Sequence, residues 1–299
     1  MTKVFEINHI TKDYGNQKGV FDVSFSVNQG EVMGFLGPNG AGKTTTIRQL
    51  MGFIHPDSGE VKINGLDCFK DAAKIQETLG YLPGEIAFMD GMTGIEFIKF
   101  IADMKNMTDL SYAKELMEFF ELDPKGKLKK MSKGMKQKIG IVCAFMNHPK
   151  QVILDEPTSG LDPLMQNRFV ELILKEKAKG TTILMSSHIF EEIERTCDRT
   201  VIIKSGHIMA VEDMNKLKSG KKKNYIVRFK DKDSAEQYAK EHQISKEAVE
   251  DATITVGVKG NVDDFIKGIS KYEIKDLSIK SQSLEEMFMH FYGGEENVK

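Results

Sequence analysis

The sequence contains no tryptophan, and only three of its 299 residues are cysteine. Cys68, Cys143 and Cys197 are widely scattered. That excludes a disulfide framework and a paired Cys-x-x-Cys metal site, and it is the thiol usage of a reducing compartment. Charge of one sign is also missing, since 42 Lys and Arg stand against 44 Asp and Glu for a formal net of −2. Nucleic-acid binders carry a basic excess or stripe, so no nucleic-acid partner is expected. Apolar runs are short; Ile139 to Met146 falls far below the ~18 residues that cross a bilayer. Residues 1–15 lack the apolar core of a signal peptide, so a cytoplasmic location is expected. With 40% hydrophobic and 29% charged residues, the chain is of ordinary globular composition, and disorder and collagen-like structure are excluded. Its length suggests about two domains.

What is present is a succession of periodicities. Phe21, Val23, Phe25 and Val27 alternate with Asp22, Ser24, Ser26 and Asn28, the pattern of a half-buried strand in an antiparallel edge. Val32 to Leu36 is more uniformly apolar, and Thr44 to Phe53 has helical spacing. Between about residues 90 and 146 the pattern is helical, opened by Thr93-x-x-Glu96, a capping box. Buried-type strands return at Gln151 to Asp155 and Thr181 to Ser186, each followed by a helix, which predicts parallel βαβ units. Lys216, Lys218, Lys221, Lys222 and Lys223 around Ser219-Gly220 read as a solvated linker over 216–223. A strand, helix, strand, helix, strand order then predicts a small α+β domain over 224–299.

Gly37-Pro38-Asn39-Gly40-Ala41-Gly42-Lys43-Thr44 matches G-x-x-x-x-G-K-[ST], between a strand and a helix. Glycines let backbone N–H groups turn inward onto phosphate oxygens, and the helix N-terminus adds partial positive charge there. Lys43 would pair with the β- and γ-phosphates, and the Thr44 hydroxyl would ligate Mg²⁺. Val152-Ile153-Leu154-Asp155-Glu156 is an apolar strand ending in two carboxylates whose side chains alternate in direction. Asp155 fits a Mg²⁺ partner and Glu156 a group that polarises the attacking water.

Together these residues resemble the nucleotide-binding subunit of an ATP-binding cassette (ABC) transporter over residues 1–215. Gly37 to Thr45 is similar to the family's Walker A loop, Val152 to Glu156 to Walker B, and Ser159-Gly160-Leu161-Asp162 to its D-loop. Ser186-Ser187-His188 ends in the switch histidine, Tyr14 stands where the family stacks a ring on adenine, and Ser132 to Gln137 occupies the signature loop. The resemblance implies a P-loop α/β fold: a mixed sheet, an antiparallel β edge, a helical subdomain and the small C-terminal domain. It also implies two such subunits packed head to tail around ATP and Mg²⁺. Glu156 and His188 would then be catalytic, and Thr45, Tyr14, Ser132 and Gly134 would join Gly37 to Thr44 in binding ATP.

Two departures stand out. After Leu79-Gly80-Tyr81-Leu82-Pro83 the family has a glutamine, but this chain has Gly84 and then Glu85, and either Glu85 or a water is expected to substitute. The signature reads Met131-Ser132-Lys133-Gly134-Met135 in place of Leu-Ser-Gly-Gly-Gln, with Lys133 expected to be solvated. Ser283-Leu284-Glu285-Glu286-Met287-Phe288 is similar to the tail of ATPases serving ABC-2-type exporters of drugs and peptide antibiotics. The implied partner is an integral membrane permease, which would hold the chain on the inner face of the membrane. An ABC ATPase acting off the membrane, as an assembly, translation or repair switch, is the alternative.

Overall fold

In the computed structural model of the chain, residues 2–89, 91–220, 223–242, 244, 249–258 and 262–281 are described. The early alternation becomes antiparallel pairing. Strand β1 (Lys3–Asp13) lies beside β2 (Gly19–Asn28), with Phe5 opposite Val27 and Ile7 opposite Phe25. Val23, Phe25 and Val27 are buried, and Ser24 and Ser26 on the other face are half-buried. Strand β3 (Val32–Leu36), buried along its whole length, is followed by α1 (Lys43–Leu50). The chain then returns through β4 (Ser58–Ile63) and β5 (Leu66–Asp67), giving a sheet in the order β2-β1-β4-β5. The N-terminal strands therefore form a sheet of their own. Its apolar face packs with Met33, Phe35 and Ile47 in one core, which covers the face of β3 that a single-sheet arrangement would leave open.

Helix α2 (Ala72–Thr78) leads into β6 (Leu79–Leu82) and then into the helical stretch of α3 (Gly94–Met104), α4 (Ser111–Phe119) and α5 (Lys133–Phe145). The capping box is formed. The Thr93 hydroxyl accepts from the Glu96 N–H, and the Glu96 carboxylate accepts from the Thr93 N–H at 2.7 Å. The remaining units are β7 (Gln151–Asp155), α6 (Pro163–Ala178), β8 (Thr182–Ser187), α7 (Phe190–Thr196), β9 (Arg199–Lys204) and β10 (His207–Asp213).

The central sheet has the order β10-β9-β3-β8-β7-β6. It is parallel except for its edge strand β10, whereas the antiparallel edge expected from residues 21–28 lies in the separate N-terminal sheet. Strands β3, β8 and β7 are neighbours, with Leu36 beside Ser187 and Asp155 beside Ser186. The loops leaving them thus emerge together at the carboxyl edge, where open α/β sheets bind ligands.

The chain divides into two units, Met1–Met214 and Asn215–Lys299. Helix α8 (Met214–Gly220) covers residues read above as linker, so Lys216 to Gly220 is helical. Lys221 and Lys222 lie outside the described residues, as does the run from Ser283 to Phe288. The second unit contains β11 (Lys223–Phe229), α9 (Lys232–Glu241), β12 (Val249–Glu250), β13 (Thr253–Val258), α10 (Val262–Ile269) and β14 (Ile274–Ser281). Its antiparallel sheet runs β12-β13-β11-β14 over its own core of Val227, Phe229, Tyr238, Ile254 and Phe265. Among the described residues, no helix is long and apolar enough to cross a membrane.

Candidate functional site: a phosphate loop facing two carboxylates

The loop from β3 to α1 is shaped by glycine where side chains do not fit. A Cβ at Gly37 would lie 2.5 Å from the Ile203 carbonyl oxygen, so the loop can seat there only without one. Gly42, at φ 112°, caps α1 in a left-handed conformation that glycine adopts freely, and no side chain accepts from the helix N-terminus. The first-turn N–H groups of α1 and its partial positive charge are thus directed at whatever sits over the loop. Pro38, Asn39, Gly40 and Thr44 are exposed around it, Thr45 is half-buried and Ala41 is buried. The Lys43 side chain is only 5% exposed. Its ammonium donates to the carbonyls of Gly37 (2.6 Å) and Pro38 (3.2 Å) and pairs with Glu156 Oε1 at 3.0 Å.

The two carboxylates diverge more than strand alternation alone requires. Asp155, the last residue of β7, is buried and accepts from the hydroxyls of Thr44 (2.8 Å) and Ser186 (2.6 Å). Glu156 follows with φ 49°, in the left-handed region, so the chain turns sharply out of the strand. This brings its carboxylate between Lys43 and His188, with His188 Nδ1 at 2.6 Å from Oε2. Ser186 joins the two: its hydroxyl donates to Asp155 and accepts from the Glu156 N–H at 3.0 Å. The Thr44 hydroxyl and Asp155 carboxylate form an adjacent pair of hard oxygen donors, a set that fits Mg²⁺.

A cleft of about 600 Å³ opens over these groups, lined among others by Thr44, Gly84, Glu85, Lys133, Asp155 and Glu156. Gly84 stands close to Asp155; a Cβ there would come within 3.1 Å of Oδ2. Ser132 caps α5, accepting from the Met135 N–H at 3.2 Å. Lys133 is not simply solvated: its ammonium donates to Ser159 Oγ at 2.7 Å, because the turn after Glu156 passes against the start of α5. The fit is close, since a Cβ at Gly134 would lie 2.7 Å from the Gly160 carbonyl. Asp162 caps α6, accepting from the Met165 N–H at 3.0 Å. Tyr14, in the β1–β2 connection, is 53% exposed, and the structure brings it into none of these contacts.

Glu192 escaped the sequence reading, because a Glu in the first turn of a helix ordinarily faces water. Here it is buried, with its carboxylate accepting from the Thr158 and Ser187 hydroxyls, immediately behind Glu156 and His188. Burial pushes its pKa up, aided by the nearby Glu156 carboxylate, while the two hydroxyls oppose the shift. The folded chain thus holds this proton more tightly than the unfolded chain. Glu192's contribution is complete below the ordinary carboxylate pKa of about 4.3 and is lost as pH rises through its raised value, by about 1 kcal/mol per pH unit inside that window. Glu192→Gln, which keeps the size without the charge, is expected to melt higher than the native chain, with the difference widening from pH 4 to pH 7. Equal melting points across that range contradict this reading.

The sequence profile described as ABC transporter matches residues 20–159. The bacitracin transport ATP-binding protein BcrA of Bacillus licheniformis is 32% identical over 307 residues, covering 98% of this chain and 99% of that protein. The chain belongs to the ABC transporter family. It is an ATP-binding, ATP-hydrolysing subunit with the ABC ATPase P-loop fold. A second ABC relative, the linearmycin resistance ATP-binding protein LnrL of Bacillus subtilis (strain 168), is 37% identical over 213 residues, or 70% of this chain and 68% of that one. Among solved structures, an ATP-binding subunit of an ABC transporter superposes with a TM-score of 0.65 at 33% identity, covering 72% of this chain and 92% of the other.

Proposed function

We propose that this ABC ATPase dimerises around ATP and drives a separate integral membrane permease of the ABC-2 type, exporting a drug, peptide or related amphiphile. The names of BcrA and LnrL support the cargo class. In this reading residues 1–215 are the nucleotide-binding domain and 224–299 an accessory domain, with the chain peripheral on the inner membrane face. The observation that carries it is the cluster in which Glu156 lies 3.0 Å from Lys43 and 2.6 Å from His188, beside the start of α1, where Gly42 brings no capping side chain.

The chemistry follows from that placement. Gly37 to Thr45 wraps the triphosphate with backbone N–H groups, and Lys43 exchanges its Glu156 partner for phosphate oxygens. Released from Lys43, Glu156 accepts the proton of the attacking water as general base, while His188 orients the carboxylate and the water. Thr44 and Asp155 would hold Mg²⁺, which when bound neutralises charge on the phosphate oxygens. Tyr14 stacks on adenine. Ser132 and Gly134 present the start of α5 to the nucleotide of the second subunit.

Glu85 follows Gly84 and lines the same cleft, which supports it as the replacement for the family's glutamine. Glu85→Ala is expected to raise the Mg²⁺ concentration giving half-maximal ATP turnover by about tenfold, the scale of a lost outer-shell contact. An unchanged Mg²⁺ titration removes Glu85 from this role. Dimerisation is tested by sedimentation of Glu156→Gln with ATP and Mg²⁺. The expected species has twice the chain mass and dissociates when nucleotide is removed, whereas a monomer with ATP bound contradicts the proposal.

A further inference from the structure

We infer that Gln137 is a positioning residue for turnover, whose side-chain amide holds the backbone on which the Glu156 carboxylate is mounted. This rests on the assignment of Glu156 as the base. Gln137 lies in the second turn of α5 and is 3% exposed. Its Nε2 donates to the Pro157 carbonyl at 2.8 Å and to the Glu156 carbonyl at 3.3 Å. Those carbonyls belong to the one place in the site where the backbone is unfavourable, because Glu156 stands at φ 49°. A side chain in the left-handed region persists only where its surroundings over-determine it.

The surroundings do so from both sides. The Glu156 N–H is taken by Ser186 Oγ at 3.0 Å, and its carbonyl accepts from the Ser159 N–H at 3.1 Å as well as from Gln137. Pro157 has no N–H, so its buried carbonyl is its only backbone polar group, and Gln137 satisfies it. The first turn of α5 continues the same bracket, with Lys133 bonded to Ser159 and Gly134 set tightly under Gly160. These contacts are made to the chain from 156 to 160 and not to the Glu156 carboxylate. Gln137 therefore governs where the base points, and misplacement of a reacting group by ~1 Å costs about a hundredfold in rate.

The test is Gln137→Met, of similar length but without the donor, in the native chain and in the Glu156→Gln background. It is read by single-turnover release of labelled phosphate together with ATP affinity. The expected result is a kcat lower by about 10- to 100-fold with ATP affinity unchanged, and no further loss in the Glu156→Gln background, where no base remains to be aimed. Unchanged turnover, or an equal loss in both backgrounds as a merely structural role requires, overturns the inference. If Gln137→Met does not fold, Lys133→Met at the exposed start of α5 replaces it. A smaller loss is then expected in the native background alone, and no loss or an equal loss in both overturns the inference. Full activity of Glu156→Gln itself overturns the assignment of the base, and the positioning role with it. An inactive Glu156→Gln beside a fully active Gln137→Met overturns the positioning role alone.

Discussion

Glu156→Gln is expected to lower ATP turnover by about 10²- to 10⁴-fold, the range over which a positioned general base acts, while leaving ATP binding intact. The substitution preserves shape and the left-handed turn, so the carbonyl contacts to Gln137 and the N–H contact to Ser186 survive. What is lost is the proton acceptor. The negative charge that pairs with Lys43 at 3.0 Å is lost with it, so Lys43 becomes freer for phosphate and ATP is held as tightly or more tightly. Steady-state phosphate release and equilibrium ATP binding, measured on one preparation, separate the two effects. Turnover within a few-fold of the native chain is incompatible with Glu156 as the base.

Lys43→Ala is expected to abolish nucleotide binding at ordinary concentrations. The Lys43 side chain is 5% exposed and its ammonium is held by two carbonyls and a carboxylate, so its position is fixed before the ligand arrives. Little ordering cost is then due on binding. Truncating one member of a buried charged pair typically costs about 2–5 kcal/mol, or ~30- to several thousand-fold in affinity. Calorimetric titration with ATP gives the affinity, and thermal melting of the same sample tests whether the fold survives. The Gly37 and Pro38 carbonyls lose their donor and Glu156 its counter-charge, so a lower melting point is also expected. An affinity within threefold of native in a folded variant contradicts this account of the loop.

Much of this architecture is legible in the residues, for identifiable reasons. The phosphate loop is readable because the Gly37 and Gly42 positions tolerate little else; a Cβ at either would collide with its neighbours. Strands β3 and β7 match their apolar runs residue for residue, since a strand buried on both faces has no polar positions to blur its ends. The start of α5 at Lys133 is marked by Ser132, which caps it, since the polar first turn carries no apolar period. The separate N-terminal sheet was not legible, since alternation states which residues face inward but not which sheet receives them. Nor was Glu192, whose burial is set by Thr158 and Ser187 on other elements. The left-handed turn at Glu156 likewise has no local signal, since glutamate does not favour that conformation and tertiary contacts impose it.

The most direct measurement of the central claim is affinity purification of the tagged full chain from gently solubilised native membranes, with the co-purifying chains identified by mass spectrometry. The account predicts a stoichiometric multi-span membrane protein, retained with ATP and Mg²⁺ and recovered with the Glu156→Gln form as well. Recovery only in the soluble fraction, with ribosomal or assembly factors and no membrane chain, contradicts it.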